Sequence, residues 1–147
     1  MLSKVHAAAL RGVDALPVEV EVHVGPGEER VVMVGLPDAA VRESIDRVST
    51  ALTSSGYHLP PGKTTVNLAP ADLRKEGPSF DLPIAVGWLI ASEQVAEGIS
   101  TDYAMIGELA LTGAVRRVKG VLSVATRTHK EGRRGLLVPA ENAAEAA

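Results

Sequence analysis

The chain has no cysteine, few aromatic residues and no long apolar run. Without cysteine there is neither a disulfide framework nor a thiolate zinc site, which suits a reducing compartment. Aromatic residues make up 3%, with one Trp and one Phe, so little is left to build base-stacking platforms. No window approaches the ~18 uninterrupted apolar residues of a membrane span. The opening "MLSKVHAAALRG" carries no apolar stretch behind its lysine, so secretion is not indicated either. A cytoplasmic protein without membrane contact is expected. The four histidines, His6, His23, His58 and His129, show none of the paired spacings that metal sites use.

What is abundant is aliphatic. An apolar fraction of 46% over 147 residues allows one domain with a core of Val, Leu, Ile and Ala, packed in layers of sheet and helix. No repeat or low-complexity linker divides the chain, so residues 1–147 read as a single domain. The net charge of −3 gives no global attraction to nucleic acid, but it is unevenly spread. Between Val115 and Gly135 stand Arg116, Arg117, Lys119, Arg127, Lys130, Arg133 and Arg134 against one acid, Glu131. The plainest reading of such a run is a solvated face; the sharper one is a set of phosphate contacts.

Periodicity places the elements. "PVEVEVHVG" alternates valines with Glu19, Glu21 and His23, which predicts a strand with one buried face. "RVVMVGLP" predicts a strand buried on both faces, paired with the first in a hairpin across "PGEE", and residues 4–11 a third strand. Asp38 is the expected cap of a helix in which Val41, Ile45, Val48 and Leu52 share a face, Arg42 pairs with Asp46, Glu43 pairs with Arg47, and Gly56 ends the run. "TTVNLAP" reads as a strand and Leu82–Ile90 as a buried helix. "AMIGELALTGAV" gives a strand and a hairpin at Thr112-Gly113. Val118, Val121, Val124, Ala125 and Thr128 stripe a further helix, "RRGLLVP" returns as a strand, and "ENAAEAA" resembles a helix cut short, as in a fragment of a longer chain.

"GYHLPPGKT" invites comparison with the nucleotide-binding P-loop and fails it. Five residues separate its glycines, a strand is expected to follow, and Pro60 and Pro61 remove backbone donors. Ser79, in "RKEGPSFDLP", is either a nucleophile or a helix cap. Asp72, Glu76 and Asp81 surround it in sequence, as easily turn and cap acids as a general base.

"EGPSFDLPIAVG", "MIGELALTGAV", "LLVPAENAAEAA", "VGLPDAAVRESIDRV" and "VNLAPADLRKEGP" together resemble the N-terminal domain of bacterial magnesium-chelatase-like AAA+ ATPases of the ComM/YifB type. The resemblance covers essentially the whole chain. It implies an α/β (α+β) fold of the ribosomal-protein-S5-domain-2-like, Lon-protease-like kind: a two-layer domain with a mixed sheet and about three helices. It also implies that an ATPase domain, with its ATP and Mg2+, follows residue 147, so no cofactor is expected on this chain. In the Lon pattern the catalytic serine sits in a Gly-Pro-Ser turn, matched by Gly77-Pro78-Ser79. The lysine base sits where this chain has Leu122, in Lys119-Gly120-Val121-Leu122.

A serine hydroxyl is a weak nucleophile until a neighbour accepts its proton, and leucine cannot. Lys119 lies one turn earlier along the expected helix. Ser79 and Leu122 are therefore expected to be vestigial, with Ser79 serving as a cap worth ~1 kcal/mol. The expected function is non-catalytic: assembly of a homo-oligomeric ring through the full-length protein, with weak contact to single-stranded or branched DNA and no small-molecule substrate. A protein-interaction module regulating the ATPase is the alternative, and a Lon-like serine peptidase the less favoured one. The chelatase label points to an ATPase relative, since no cluster of hard-metal ligands is apparent.

Overall fold

The computed structural model describes residues 1–147, apart from the side chain of Ile99. β1 (Leu2–Arg11) and β2 (Asp14–Gly25) form an antiparallel pair in register from Leu2 opposite His23 to Arg11 opposite Asp14. Val5, Ala7, Ala9, Val18, Val20 and Val22 are buried on one face, as the alternation dictates. After β3 (Arg30–Val34), Asp38 accepts a 2.8 Å hydrogen bond from the Val41 amide and opens α1 (Ala39–Arg42). The expected single helix is interrupted at Glu43, and α2 (Ser44–Ser54) continues it; Glu43 and Arg47 meet at 3.7 Å, while the Arg42–Asp46 pair is absent from the ion pairs of the described residues.

β4 (Lys63–Ala69) buries Thr64, Val66 and Leu68 at every second position. It pairs antiparallel with β2 and parallel with β3. The expected hairpin between β2 and β3 therefore does not form, because the more regularly buried β4 takes the place between them. β3 is left as an edge strand with Val34 45% exposed, which corrects the expectation that both its faces are covered. Val31 and Met33 still pack on the core.

α3 (Asp81–Ala91) is apolar all round and lies across β1 and β2, with α2 beside it. Gly87 permits this approach, since a Cβ there would stand 2.9 Å from Val22 Cγ2, and Ser3 Oγ donates to the Gly87 carbonyl at 2.6 Å. α4 (Gly98–Asp102) leads into β5 (Tyr103–Met105), which pairs parallel with β1. The stretch read as one strand and hairpin is thus divided: β5 joins the main sheet, while β6 (Glu108–Leu109) and β7 (Val115–Arg116) form a separate ribbon that turns at Thr112-Gly113. α5 (Val121–Lys130) follows, then β8 (Gly135–Leu137), parallel to β5, and α6 (Ala143–Ala146).

The main sheet runs β3-β4-β2-β1-β5-β8, with three parallel and two antiparallel pairings. The mixed α/β architecture is as expected, with α2, α3 and α5 the helices of ten or eleven residues. α2 and α3 cover one face; a smaller cluster of Ala8, Ala15, Ile106, Val118, Val121 and Val124 seats α5 on a corner of the other. Among the described residues no helix is long and apolar enough to cross a membrane.

Candidate functional site

The start of α3 is fixed by a buried ion pair. The Asp81 carboxylate, fully buried, accepts from Ser44 Oγ at 2.6 Å, Arg47 Nε at 2.7 Å, Arg47 Nη2 at 3.0 Å and the Leu109 amide at 3.0 Å. Four donors to one carboxylate satisfy it without water. The bond to Asp81 raises the Arg47 pKa; burial opposes this, and the negative fields of Asp81, Glu108 and Glu43 add to it. One carboxylate therefore ties α2, α3 and β6 together. In the sequence Asp81 stands out only as one of three acids near Ser79, because its partners lie 28 to 37 residues away.

Ser79 occupies the middle of a 3-10 turn, Pro78–Phe80, that runs into α3. The expected capping bond is not made: α3 begins after Phe80 with no side-chain cap, and the Ser79 hydroxyl has no hydrogen-bond partner among the described residues. The reason is geometric. A cap needs extended backbone, whereas residues 78–80 are already helical and place Asp81, not Ser79, at the first turn. The turn is held from outside, by Asp38 Oδ2 accepting from the Gly77 amide at 3.2 Å and by the Gly107 amide donating to the Ser79 carbonyl at 3.0 Å. Asp38 thus caps α1 with one oxygen and anchors the Gly-Pro-Ser turn with the other.

This turn forms one wall of a cleft of about 500 Å³. The end of β1, Asp38, Glu76 and Glu108 contribute to it, and Arg117, Val118 and Lys119 form the facing wall. Lys119 is not on a helix one turn before Leu122. α5 begins at Val121, and Gly120, with φ 77, bends the chain where a Cβ would collide with Leu10 at 2.2 Å. That bend brings Lys119 to the same cleft as Ser79. Leu122 faces elsewhere, 60% exposed, on a different cleft with Val13 and Asp14. The facing wall is rigid, because the Asn142 side chain accepts from the Val118 amide at 3.0 Å and donates to its carbonyl at 3.1 Å. Asn142, almost fully buried, escaped sequence reading because its alanine-rich surroundings carry no periodic signal.

The seven cations are divided by the fold. Arg117 and Lys119 line the Ser79 cleft; Arg127 and Lys130 line the one beside Leu122, where Arg127 Nε donates to the Ala15 carbonyl at 2.8 Å. Arg133 lies 3.4 Å from Glu131 and donates through Nη2 to His6 Nδ1 at 3.0 Å. Arg116 on β7 and Arg134 before β8 are exposed. Arg116, Arg117, Lys119, Lys130 and Arg134 form no ion pair among the described residues. Burial lowers the His6 pKa, Arg133 and Lys4 add to this, and Glu19 and Glu131 oppose it. Lys75, wholly buried, donates through Nζ to the Pro70 carbonyl; burial lowers its pKa and Asp72 opposes. Among the described residues no group of three His, Asp or Glu is gathered that could hold a metal ion.

A mixed sheet backed by a buried helix, with a Gly-Pro-Ser turn opening onto a cleft, makes this a mixed α/β domain. Residues 20–142 match the family described as "Subunit ChlI of Mg-chelatase", and the chain belongs to that family. It is 51% identical over 144 residues to the uncharacterized protein YifB of Salmonella typhimurium, covering 98% of this chain and 28% of that protein. It is 43% identical over 145 residues to the competence protein ComM of Haemophilus influenzae, covering 99% and 28%. A weaker likeness, 29% over 127 residues, joins it to Lon protease 1 of Thermus thermophilus, covering 82% of the chain and 16% of the protease. The chain spans under a third of the length of YifB and ComM.

Proposed function

We propose that this domain is a non-catalytic module of a cytoplasmic, bacterial magnesium-chelatase-like AAA+ ATPase, serving ring assembly and weak, sequence-independent contact with single-stranded or branched DNA. ATP and Mg2+ belong to the ATPase portion of the longer protein. The observation that carries the DNA half is the group of exposed cations without acid partners, Arg116, Arg117, Lys119, Lys130 and Arg134. Cations aimed at phosphates bind without reading sequence and release counterions as they do so. With an overall charge of −3 and few aromatics, binding by one copy is weak, and copies joined in a ring multiply it. Fluorescence anisotropy with single-stranded and forked DNA is the test. Binding that falls steeply with salt is expected; binding no better than that of a charge-matched control protein at low salt would remove the DNA half.

A serine peptidase is the second reading, favoured by Ser79 and Lys119 lining one cleft and by the likeness to Lon proteases. Here the Lys119 amine, not the residue at 122, would accept the Ser79 proton. Hydrolysis of casein that disappears in Ser79→Ala and in Lys119→Ala would establish it. No hydrolysis by the unmodified chain rejects it.

A further inference from the structure

We propose that the cleft between the Gly77-Pro78-Ser79 turn and the Arg117-Val118-Lys119 segment binds a backbone phosphate of single-stranded nucleic acid, through Arg117, Lys119 and the Ser79 hydroxyl. This rests on the DNA reading above and selects, from seven cations, the two that line the cleft of Ser79. Apart from Glu108, the groups of the cleft without a partner are cations and a hydroxyl donor. Asp38 is occupied by the Val41 and Gly77 amides, and Glu76 lies 3.2 Å from Arg74. Arg117 and Lys119 have no ion pair and Ser79 no hydrogen-bond partner among the described residues, so two cations and a hydroxyl donor remain to meet an anion.

Both walls are built in advance. Asn142 locks Val118 between the two cations, and Asp38 with the Gly107 amide fixes the serine turn, so little order must be created on binding. Arg116, next in the chain and exposed, supplies a further cation, which a polyanion can use and a lone carboxylate cannot. A cleft of about 500 Å³ has room for a phosphate group. Glu108 is the opposing charge left on its wall, and its removal strengthens the site.

The test is anisotropy of a labelled single-stranded oligonucleotide with the full chain, each variant first checked by circular dichroism and melting. Arg117→Ala/Lys119→Ala weakens binding about tenfold and lowers the salt slope by about 1.4, at about 0.7 per cation on a single strand. Lys130→Ala/Arg134→Ala weakens it less than about threefold, Arg30→Ala at the far sheet edge leaves it unchanged, and Glu108→Gln tightens it, as expected for phosphate contacts of unequal weight. Inorganic phosphate at millimolar concentration competes. Equal losses in the two double variants, weaker binding by Glu108→Gln, or competition by polyglutamate but not by phosphate overturns the proposal. No binding at all by the unmodified chain at low salt overturns the DNA reading as a whole; binding that survives Arg117→Ala/Lys119→Ala overturns the cleft alone.

Discussion

Replacing Asp81 by alanine leaves four donors without their acceptor. Ser44 Oγ and the Leu109 amide are buried, so each carries a desolvation cost of about 1–3 kcal/mol when orphaned. Arg47 fares better, because its side chain is 22% exposed and Glu43 stands 3.7 Å away. The expected loss is about 3–5 kcal/mol, the range for breaking a buried pair by removing one partner. Against a total stability of roughly 7–20 kcal/mol for a domain of this size, that is a large part. Urea denaturation followed by circular dichroism measures it, and a double-mutant cycle with Arg47→Ala isolates the pair. A coupling of about 1–3 kcal/mol is expected. A loss under about 1 kcal/mol for Asp81→Ala, or no coupling, would refute the claim that this carboxylate joins α2, α3 and β6.

Other perturbations separate the local roles. Ser79→Ala changes stability by less than about 0.5 kcal/mol, since no cap is lost, whereas Asp38→Ala costs about 1–2 kcal/mol by releasing the Val41 and Gly77 amides; equal effects in urea melts would contradict this. Asn142→Ala costs about 2–3 kcal/mol, because both backbone groups of Val118 lose their partner; hydrogen exchange reports it as faster exchange of the Val118 amide. Folding lowers the His6 pKa below 6.5, first through burial and then through Arg133, so the folded state binds fewer protons than the unfolded chain. Its contribution is fully present above pH 6.5 and is lost as the pH falls below that value; His6→Asn flattens the stability-against-pH curve there, and an unchanged curve rejects the assignment.

The parts legible in the sequence were those governed by near neighbours. The valine alternation of β2, the Asp38 cap and the Thr112-Gly113 turn all express local spacing, and each stands where the spacing put it. Of the stripe expected on the next helix, Val121, Val124 and Thr128 are buried on α5, whereas Val118 lies before it, because Gly120 breaks the chain there. The errors concern which elements meet. Nothing in "PGEE" tells β2 that its neighbour will be β4 and not β3, since that choice depends on burial across the whole sheet. The candidate site divides in the same way. The Gly-Pro-Ser turn and the basic run were visible, but the convergence of Lys119 with Ser79 depends on the Gly120 bend and on Asn142, neither of which leaves a periodic mark.

The place of β1 in the sheet carries a consequence for how the chain reaches its fold. One edge of β1 meets β2 at once through a tight hairpin, but its other edge pairs with β5, with His6 opposite Ala104, roughly a hundred residues later. During synthesis that second edge stands open until α3 and β5 have emerged. Closing so long a loop costs entropy before any contact returns it, so the docking of β5, followed by β8, is expected to be the slow step of folding. An unpaired strand edge at the middle of the future sheet is also where two nascent copies can pair wrongly, and the buried α3, laid across β1 and β2 before β5 arrives, limits that exposure to the strand's edge alone.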